Sequence, residues 1–364
     1  MSRLVALCGA YAELTPSAPH VRYLVDLEPV MTLLLGMTPP DSRRGALGVL
    51  VACCLAAGVP GAACRQAPAR AAGTRSTVRM ATGLPGASFR PLSAAILRGL
   101  SAQLPSIEFV PIDTPGSNTN LEHIQTGTAD IGLAYSDGAY RVYIEELRGG
   151  ERRDAARAIA VLHPASVHVL VRAATPIRSI ADLKGLRIAA GAPGTGTAST
   201  SETLLRFFNV TPGPELVQAL SFEDSVDALM RGRVDAAFVV SSDPVESIRV
   251  ATDTGARLVD ISGAAVDELL TEYPFFRRSV IPSLTYPRQH APVVTVAVDT
   301  LLVCRRHLDD EIVRSVTAAF FRILPDLAAQ FDALQSVDLD RAPAAPVPLH
   351  PGAALFYRES ELAR

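Results

Sequence analysis

Residues 187–206, Arg-Ile-Ala-Ala-Gly-Ala-Pro-Gly-Thr-Gly-Thr-Ala-Ser-Thr-Ser-Glu-Thr-Leu-Leu-Arg, are the stretch that decides the fold of this chain. An apolar strand over 187–190 is followed by a glycine-rich turn over 191–196, and a helix is predicted to begin at Thr197. The first backbone N–H groups of a helix have no partner within it, and the helix dipole adds partial positive charge there. The pattern therefore predicts a strand–turn–helix unit that holds an anion.

The same turn excludes two nucleotide-binding motifs. Gly191 and Gly196 match the first half of the P-loop pattern GxxxxGK[ST], but Thr197 stands where the lysine belongs, and Lys184 is the only lysine of the chain. The glycine spacing G-x-x-G-x-G also departs from the dinucleotide fingerprint GxGxxG. A plain strand-to-helix turn is the alternative for this loop taken alone.

Composition bounds the class of protein. The chain has 364 residues, of which 48% are hydrophobic and 20% are charged, with a formal net charge of −3. This composition is typical of a globular protein, and the chain is long enough to form two lobes. Neither the charge balance nor the absence of Trp favours nucleic-acid binding.

The N-terminal region predicts export. Arg43 and Arg44 precede an uncharged apolar run over 45–63 that ends in small residues, as a secretory signal does. We therefore interpret 37–64 as a signal peptide, with translation starting at Met37, and 1–36 as a mis-assigned extension. The mature chain is expected to be periplasmic.

Three alternative processing sites follow from the sequence of the signal peptide. Cys64 follows Gly-Ala-Ala and could become the lipidated first residue of a lipoprotein, which would tether the chain to the membrane. The sequence ending at Cys53 is a second lipoprotein pattern, and Ala-Pro-Ala at 67–69 would suit release of a soluble protein. Residues 65–75, rich in Ala, Pro and Arg, are predicted to form a tether.

Strands and helices alternate from Thr77 onward at the lengths of βα units. The expected strands are 77–82, 107–112, 130–135, 158–162, 167–172, 187–190, 216–220 and 236–240, and the expected helices are 91–103, 118–126, 137–147, 197–208 and 222–231. Two segments repeat one plan, a helix that ends at a glycine, a turn through an aspartate and a buried strand. They begin at Gly127 with Asp130 and at Gly232 with Asp235. This repeat favours two α/β lobes of similar construction, although βα units can also look alike by chance.

Short motifs in a fixed order narrow the family. They are, in order, 81–91 (ATGLPGASFRP), 116–118 (GSN), 134–140 (AYSDGAY), 179–188 (SIADLKGLRI), 191–197 (GAPGTGT), 273–276 (YPFF), 281–287 (IPSLTYP) and 350–353 (HPGA). The set resembles the TAXI family of solute receptors, which serve TRAP transporters and are type II periplasmic binding proteins. The resemblance implies two lobes, each a mostly parallel sheet with flanking helices, and a cleft between them. Lobe 1 would comprise 76–172 plus 293–364, and lobe 2 would comprise 173–292.

The resemblance also implies a function, namely capture of a small organic anion such as glutamate or a dicarboxylate and its delivery to a TRAP membrane transporter. The chain departs from the family pattern at 86–91, at Tyr135 and at 241–244, and we expect all three places to border the cleft. The ligand can therefore differ from those of the family. A receptor for a membrane signalling protein and an enzyme on the same scaffold are the alternatives.

Ten residues are candidate ligand contacts. Thr195, Gly196 and Thr197 are expected to hold a ligand carboxylate, with Ser117 and Asn118 as the matching site on the first lobe. Arg90 could pair with a second carboxylate. The remaining candidates are Ser88, Phe89, Tyr135 and Tyr286, and Asp137 is expected to cap the following helix.

No cofactor, metal or catalytic residue is predicted. His163 and His168 flank Pro164 at a spacing with no favoured chelate geometry, and His350 before Pro351 is interpreted as structural. Cys304 follows an apolar run and is expected to be a small core residue. The sequence contains neither a GxSxG nor an HExxH motif.

Overall fold

A computed structural model of the chain describes residues 75–83, 89–149, 155–210 and 217–363. Its strands are β1 (Ser76–Ala81), β2 (Ile107–Ile112), β3 (Ile131–Tyr135), β4 (Arg157–Arg172), β5 (Ile188–Ala189), β6 (Val217–Gln218), β7 (Ala236–Ser241), β8 (Ala256–Leu258), β9 (Phe276–Ile281) and β10 (Val293–Cys304). Its helices are α1 (Phe89–Gln103), α2 (Ser117–Gln125), α3 (Ser136–Leu147), α4 (Gly196–Phe207), α5 (Phe222–Met230), α6 (Glu246–Thr254), α7 (Ala264–Glu272), α8 (Asp310–Ala328) and α9 (Pro351–Leu362). The signal peptide, the Cys64 site and the tether predicted before residue 75 lie outside the described residues.

The strands form one mixed sheet in the order β2-β1-β3-β10-β4-β7-β5-β6, with β8 on β4 and β9 on β10. In the first half of the sheet β1 runs parallel to β2 and β3, and in the second half β5 runs parallel to β6 and β7. Strands β4 and β10 lie between the halves and pair antiparallel with their neighbours. Helices flank both halves, which confirms the predicted α/β fold of two similar parallel units.

Strand β4 corrects one prediction. The segments 158–162 and 167–172 were expected to be separate apolar strands. Instead they are parts of one 16-residue strand. Pro164 is tolerated because it lies opposite Asp299, beside an irregularity in the β4–β10 register, where a missing N–H disturbs the ladder least. The continuous strand pairs with β10 on the first-half side and with β7 beyond Ser166, so it joins the two halves.

The internal repeat has one structure in both halves. Gly127 and Gly232 each end a helix with a φ of 71°. The Asp130 carboxylate then accepts bonds from the backbone N, Nε and Nη2 of Arg79, at 2.8, 2.9 and 3.0 Å. Asp235 accepts the same three bonds from Arg187, at 3.1, 3.0 and 2.8 Å. Each aspartate thus fastens a helix–strand turn to the start of a neighbouring parallel strand.

The core confirms several smaller predictions. Cys304 is fully buried, and this burial raises the pKa of its thiol. His350 caps α9 by accepting from the backbone N of Gly352, and its Nε2 bonds the Arg306 carbonyl. At the start of α5 the Ser221 hydroxyl caps the helix by accepting from the backbone N of Asp224. Within the described ranges, no helix has both the length and the apolar character needed to cross a membrane.

Candidate functional site

A cavity of about 570 Å³ lies between the two halves. The first half contributes the start of α1 and the end of β3, and the second half contributes the end of β7 and the starts of α5 and α6. A short 3₁₀ turn after α8 completes the wall with its last residue, Leu334, and with Phe331, which precedes the turn. The carboxyl ends of parallel strands from both halves thus face one space, which is where open α/β sheets bind ligands.

Three of the ten predicted contacts line this cavity, namely Phe89, Arg90 and Tyr135. The rings of Phe89 and Tyr135 meet edge to face with centroids 5.0 Å apart, and the Tyr135 hydroxyl donates to the carbonyl of Val240 in the second half. Ser88 lies outside the described residues. The aromatic pair therefore forms an apolar wall that also joins the halves.

All three departures from the family pattern border the cavity. The first is represented by Arg90 and Pro91, the second by Tyr135, and the third by Ser241 and Ser242 together with Pro244. The segments at which this chain differs from the expected motifs therefore each contribute residues to the cavity wall.

Arg90 is the cation of the cavity wall. Its Nη1 lies 2.6 Å from Asp113 Oδ1 and donates to the Gly83 carbonyl at 3.1 Å. The hydrogen bond from Arg90 is the main reason why the pKa of Asp113 lies below its usual value. Both described contacts use Nη1, and a guanidinium carries five N–H donors in all. Nε and Nη2 therefore remain for a ligand, as far as the described residues show.

The predicted carboxylate cradle lies elsewhere, in a direct contact between the halves. Asn118 and Thr119 donate their backbone N–H groups to the Gly194 carbonyl, both at 3.1 Å, and the Asn118 side chain donates to the Thr195 carbonyl at 3.0 Å. Gly196 packs against Tyr135 and Ser117 so closely that a Cβ there would overlap the Tyr135 ring. The starts of α2 and α4 therefore contact each other directly.

The hydroxyls of this contact also have protein partners. Thr195 caps α4 by accepting from the backbone N of Ala198, and Thr197 accepts from the backbone N of Val240. The Ser117 hydroxyl accepts from the backbone N of Tyr135 at 2.8 Å. None of Ser117, Asn118 or 195–197 lines the cavity. Their contact with a ligand stays a prediction, and such a ligand would first have to separate the halves.

Asp137 brings a buried carboxylate to the same contact. It lies in the first turn of α3, where Oδ1 accepts from the backbone N of Gly138 at 2.7 Å. The expected cap is wrong, because Tyr135 holds the cap position and no side chain caps this helix. The second oxygen of Asp137 accepts from the hydroxyl of Thr200 at 2.8 Å, and the hydroxyl of Ser199 lies 3.3 Å away, both on α4. Burial raises the pKa of Asp137. The group beside the first turns of α4 is thus one of the chain's own carboxyls.

Tyr286 is fully buried away from the cavity, in a polar network behind the cavity wall. Its hydroxyl lies 2.9 Å from Nε2 of His168 and accepts from the backbone N of Val245 at 3.1 Å. Nε2 of His168 also lies 2.8 Å from Oδ1 of Asp243, and the Ser166 hydroxyl donates to the other carboxylate oxygen at 3.2 Å. The network holds the 241–245 segment, so Tyr286 supports the wall from behind.

Two polar groups of the cavity were missed as ligand contacts. His163 is 7% exposed, and its Nδ1 lies 3.0 Å from the Pro164 carbonyl. Ser247, in the first turn of α6, has a buried hydroxyl with no hydrogen-bond partner in the described ranges. Sequence reasoning weighed His163 only as a metal ligand, because its place on a central strand was not apparent. No group of three or more potential metal ligands occurs among the described residues.

Burial lowers the pKa of His163, and the charge of Arg277 lowers it further. The hydrogen bond to Pro164 opposes this shift but does not cancel it. The imidazole is therefore neutral at pH 7. Two carboxylates also reach the wall, from Glu223 and Glu246, and both residues are exposed. The cavity thus combines one guanidinium, two peripheral carboxylates, a neutral imidazole and several hydroxyls.

Comparison with solved structures gives distant similarities. An ancestral arginine-binding protein bound to arginine aligns with a TM-score of 0.46 and 14% identity, over 72% of this chain and all of that one. The GluR0 ligand-binding core of Nostoc punctiforme in complex with L-glutamate aligns at 0.44 and 16%, over 71% and 100%. The alkanesulfonate-binding protein SsuA of Xanthomonas axonopodis pv. citri, bound to MOPS, aligns at 0.43 and 18%, over 78% and 83%.

The match to a sequence-family model extends over most of the chain. The NMT1-like family matches residues 80–360, from the end of β1 to the last helix. This range includes every described segment that lines the cavity. The chain belongs to the NMT1-like family.

Proposed function

We propose that this chain is a periplasmic solute-binding receptor that captures a small organic anion and delivers it to a TRAP-type membrane transporter. The observation that carries the proposal is the cavity of about 570 Å³ lined by residues of both halves, including three positions predicted to bind a ligand. A volume of this order suits a small organic ligand. Glutamate or a dicarboxylate-like acid is the proposed class, and the chain is either soluble or tethered through Cys64.

Arg90 would hold a carboxylate of the ligand through Nε and Nη2. Charge-assisted hydrogen bonds of this kind contribute about 1.5–3 kcal/mol. Micromolar affinity requires about 8 kcal/mol, so the remainder must come from other contacts and from burial of the ligand between the halves. The apolar faces of Phe89, Tyr135 and Phe222 supply such burial.

Binding without a chemical step is part of the proposal. The described ranges bring no Ser, Cys or Thr nucleophile within hydrogen-bond distance of a histidine at the cavity, which nucleophilic catalysis would need. The cavity groups can instead orient and desolvate an acid, which is what a receptor requires.

The test is a calorimetric titration of the full chain with L-glutamate, 2-oxoglutarate, succinate and glutarate. We expect saturable binding of at least one acid and a roughly 10- to 100-fold weaker Kd in Arg90→Gln, from the loss of 1.5–3 kcal/mol. Arg98→Gln is the matched control, because Arg98 is an exposed residue of the same helix that does not line the cavity. No binding of any acid would refute the anion class, and equal Kd values in both variants would refute the role of Arg90.

Delivery to a transporter is tested separately. A cell that lacks this chain should lose high-affinity uptake of the bound acid and regain it when the chain is restored. Unchanged uptake would favour a receptor for a membrane signalling protein.

A further inference from the structure

His163 lines the cavity wall and is buried. Only one of its two ring nitrogens, Nδ1, has a protein partner among the described residues. The Pro164 carbonyl can only accept a hydrogen bond, so Nδ1, which lies 3.0 Å from it, carries the proton. In a neutral imidazole the other nitrogen is then an acceptor. Nε2 of His163 therefore presents a lone pair without a donor in the described ranges.

The charged surroundings keep that lone pair available. The charge of Arg277 lowers the pKa of His163, and Nε of Arg277 lies 3.2 Å from Oδ1 of Asp299 on the neighbouring strand. A second cation on the imidazole would be buried beside this guanidinium. The ring thus accepts a hydrogen bond rather than donating one from Nε2.

A second polar atom of the cavity wall also lacks a hydrogen-bond partner among the described residues. The Ser247 hydroxyl also lines the cavity and is buried without a hydrogen-bond partner among the described residues. Buried polar atoms in proteins almost always have partners. The Ser247 hydroxyl is such an atom, and it shares the cavity wall with the acceptor Nε2 of His163. Together they indicate a ligand with polar groups in addition to the carboxylate that would bind Arg90.

We propose that His163 is a specificity-determining residue, whose Nε2 accepts a hydrogen bond from an ammonium or hydroxyl group of the bound acid. The inference rests on the proposed function and narrows it, because it requires an acid with a donor beside its carboxylates. A site built around an acceptor rejects the analogue without the donor, since the acceptor then stays buried and unpaired.

The experiment compares three acids with the same carbon chain on the full protein, namely L-glutamate, 2-hydroxyglutarate and glutarate. Wild-type chain should bind the first two at least ten-fold more tightly than glutarate. In His163→Leu, which keeps the apolar bulk and removes the acceptor, this preference should fall below about three-fold. The Kd for glutarate should change little, which shows that the variant is folded with an intact cavity.

The outcomes separate the two proposals. An unchanged preference in His163→Leu overturns the role of His163 and leaves the receptor function standing, and so does equal binding of all three acids by the wild type. No binding of any acid overturns both proposals. If His163→Leu does not fold, the ¹⁵N resonances of the wild-type imidazole decide. Nε2 should shift with 2-hydroxyglutarate and not with glutarate, and identical spectra with the two acids would overturn the inference.

Discussion

The two repeated aspartates provide a matched pair of perturbations within one molecule. Asp130→Asn and Asp235→Asn each remove one negative charge from the same structural element, and each retains the size of the side chain. Asp130 is 3% exposed as a residue, and Arg305 adds a fourth bond from Nε at 2.8 Å. The side chain of Asp235 is 19% exposed, and its fourth bond, from Arg172, is 3.4 Å long. The substitution should therefore destabilise the chain more at Asp130.

The magnitude follows from the bonds that are lost. A hydrogen bond to a charged group contributes about 1.5–3 kcal/mol, and Asn keeps one acceptor oxygen. The guanidiniums of Arg79 and Arg305 are 38% and 35% exposed, so solvent screens part of the attraction. We therefore expect Asp130→Asn to lower the free energy of unfolding by about 2–3 kcal/mol. Asp235→Asn should lower it by less than half as much.

Urea unfolding followed by circular dichroism at pH 7 measures both losses, provided that the slope m is unchanged. Burial alone would raise the pKa of Asp130, but the bonds and charges of Arg79 and Arg305 outweigh it and hold the pKa below its usual value. A lowered carboxyl pKa stabilises the fold above the unfolded value of about 3.9, and this contribution is lost as pH falls through the folded value. The gap between wild type and Asp130→Asn should thus close in acid. Equal losses at the two positions, or a gap that does not narrow as pH falls below about 3.9, would refute the reasoning.

Two further perturbations test the packing. Gly196→Ala places a Cβ against the Tyr135 ring, 2.6 Å from its Cε2, and should lower the free energy of unfolding by about 1–3 kcal/mol. Adding Tyr135→Ala to the same chain should recover part of this loss. Additive losses in the double variant would contradict the contact. Cys304 is buried, and the pKa of its thiol is raised, so the native chain should resist alkylation at this residue. Peptide mapping after alkylation at pH 8 should find Cys304 unmodified without urea and modified in urea. Modification without urea would show that the core around Cys304 opens.

Much of the first two-thirds of the fold could be predicted from the sequence. Strand β2 was expected at its observed bounds, and α2, α3 and α4 each agree with expectation to within one residue at both ends. These elements combine apolar periodicity with clear glycine or polar ends, which are local signals. The prediction of two separate strands at 158–162 and 167–172 was wrong, because strand continuity there depends on pairing with β10, a strand about 130 residues away in sequence.

The later elements had weaker local signals. Helix α6 begins after Val245 without a side-chain cap, and α7 likewise begins after Gly263, so neither presents a start signal of the usual polar type. The candidate site shows the same limit. Phe89, Arg90 and Tyr135 could be found from motifs because they follow strand ends, whereas His163 lies within a strand whose neighbours only the tertiary structure reveals.

The glycine turn at 191–196 explains why a local motif located a helix start but not the cavity. Its pattern correctly indicates a helix start, and unpartnered backbone groups at a buried helix start must find partners. Here the partner is the other half, since Asn118 and Thr119 donate to Gly194. Polar groups that the chain satisfies by itself make no demand on a ligand. On the described part of the cavity wall, the Ser247 hydroxyl is buried without a hydrogen-bond partner, and Nε2 of His163 has no protein partner, so both atoms remain for a ligand.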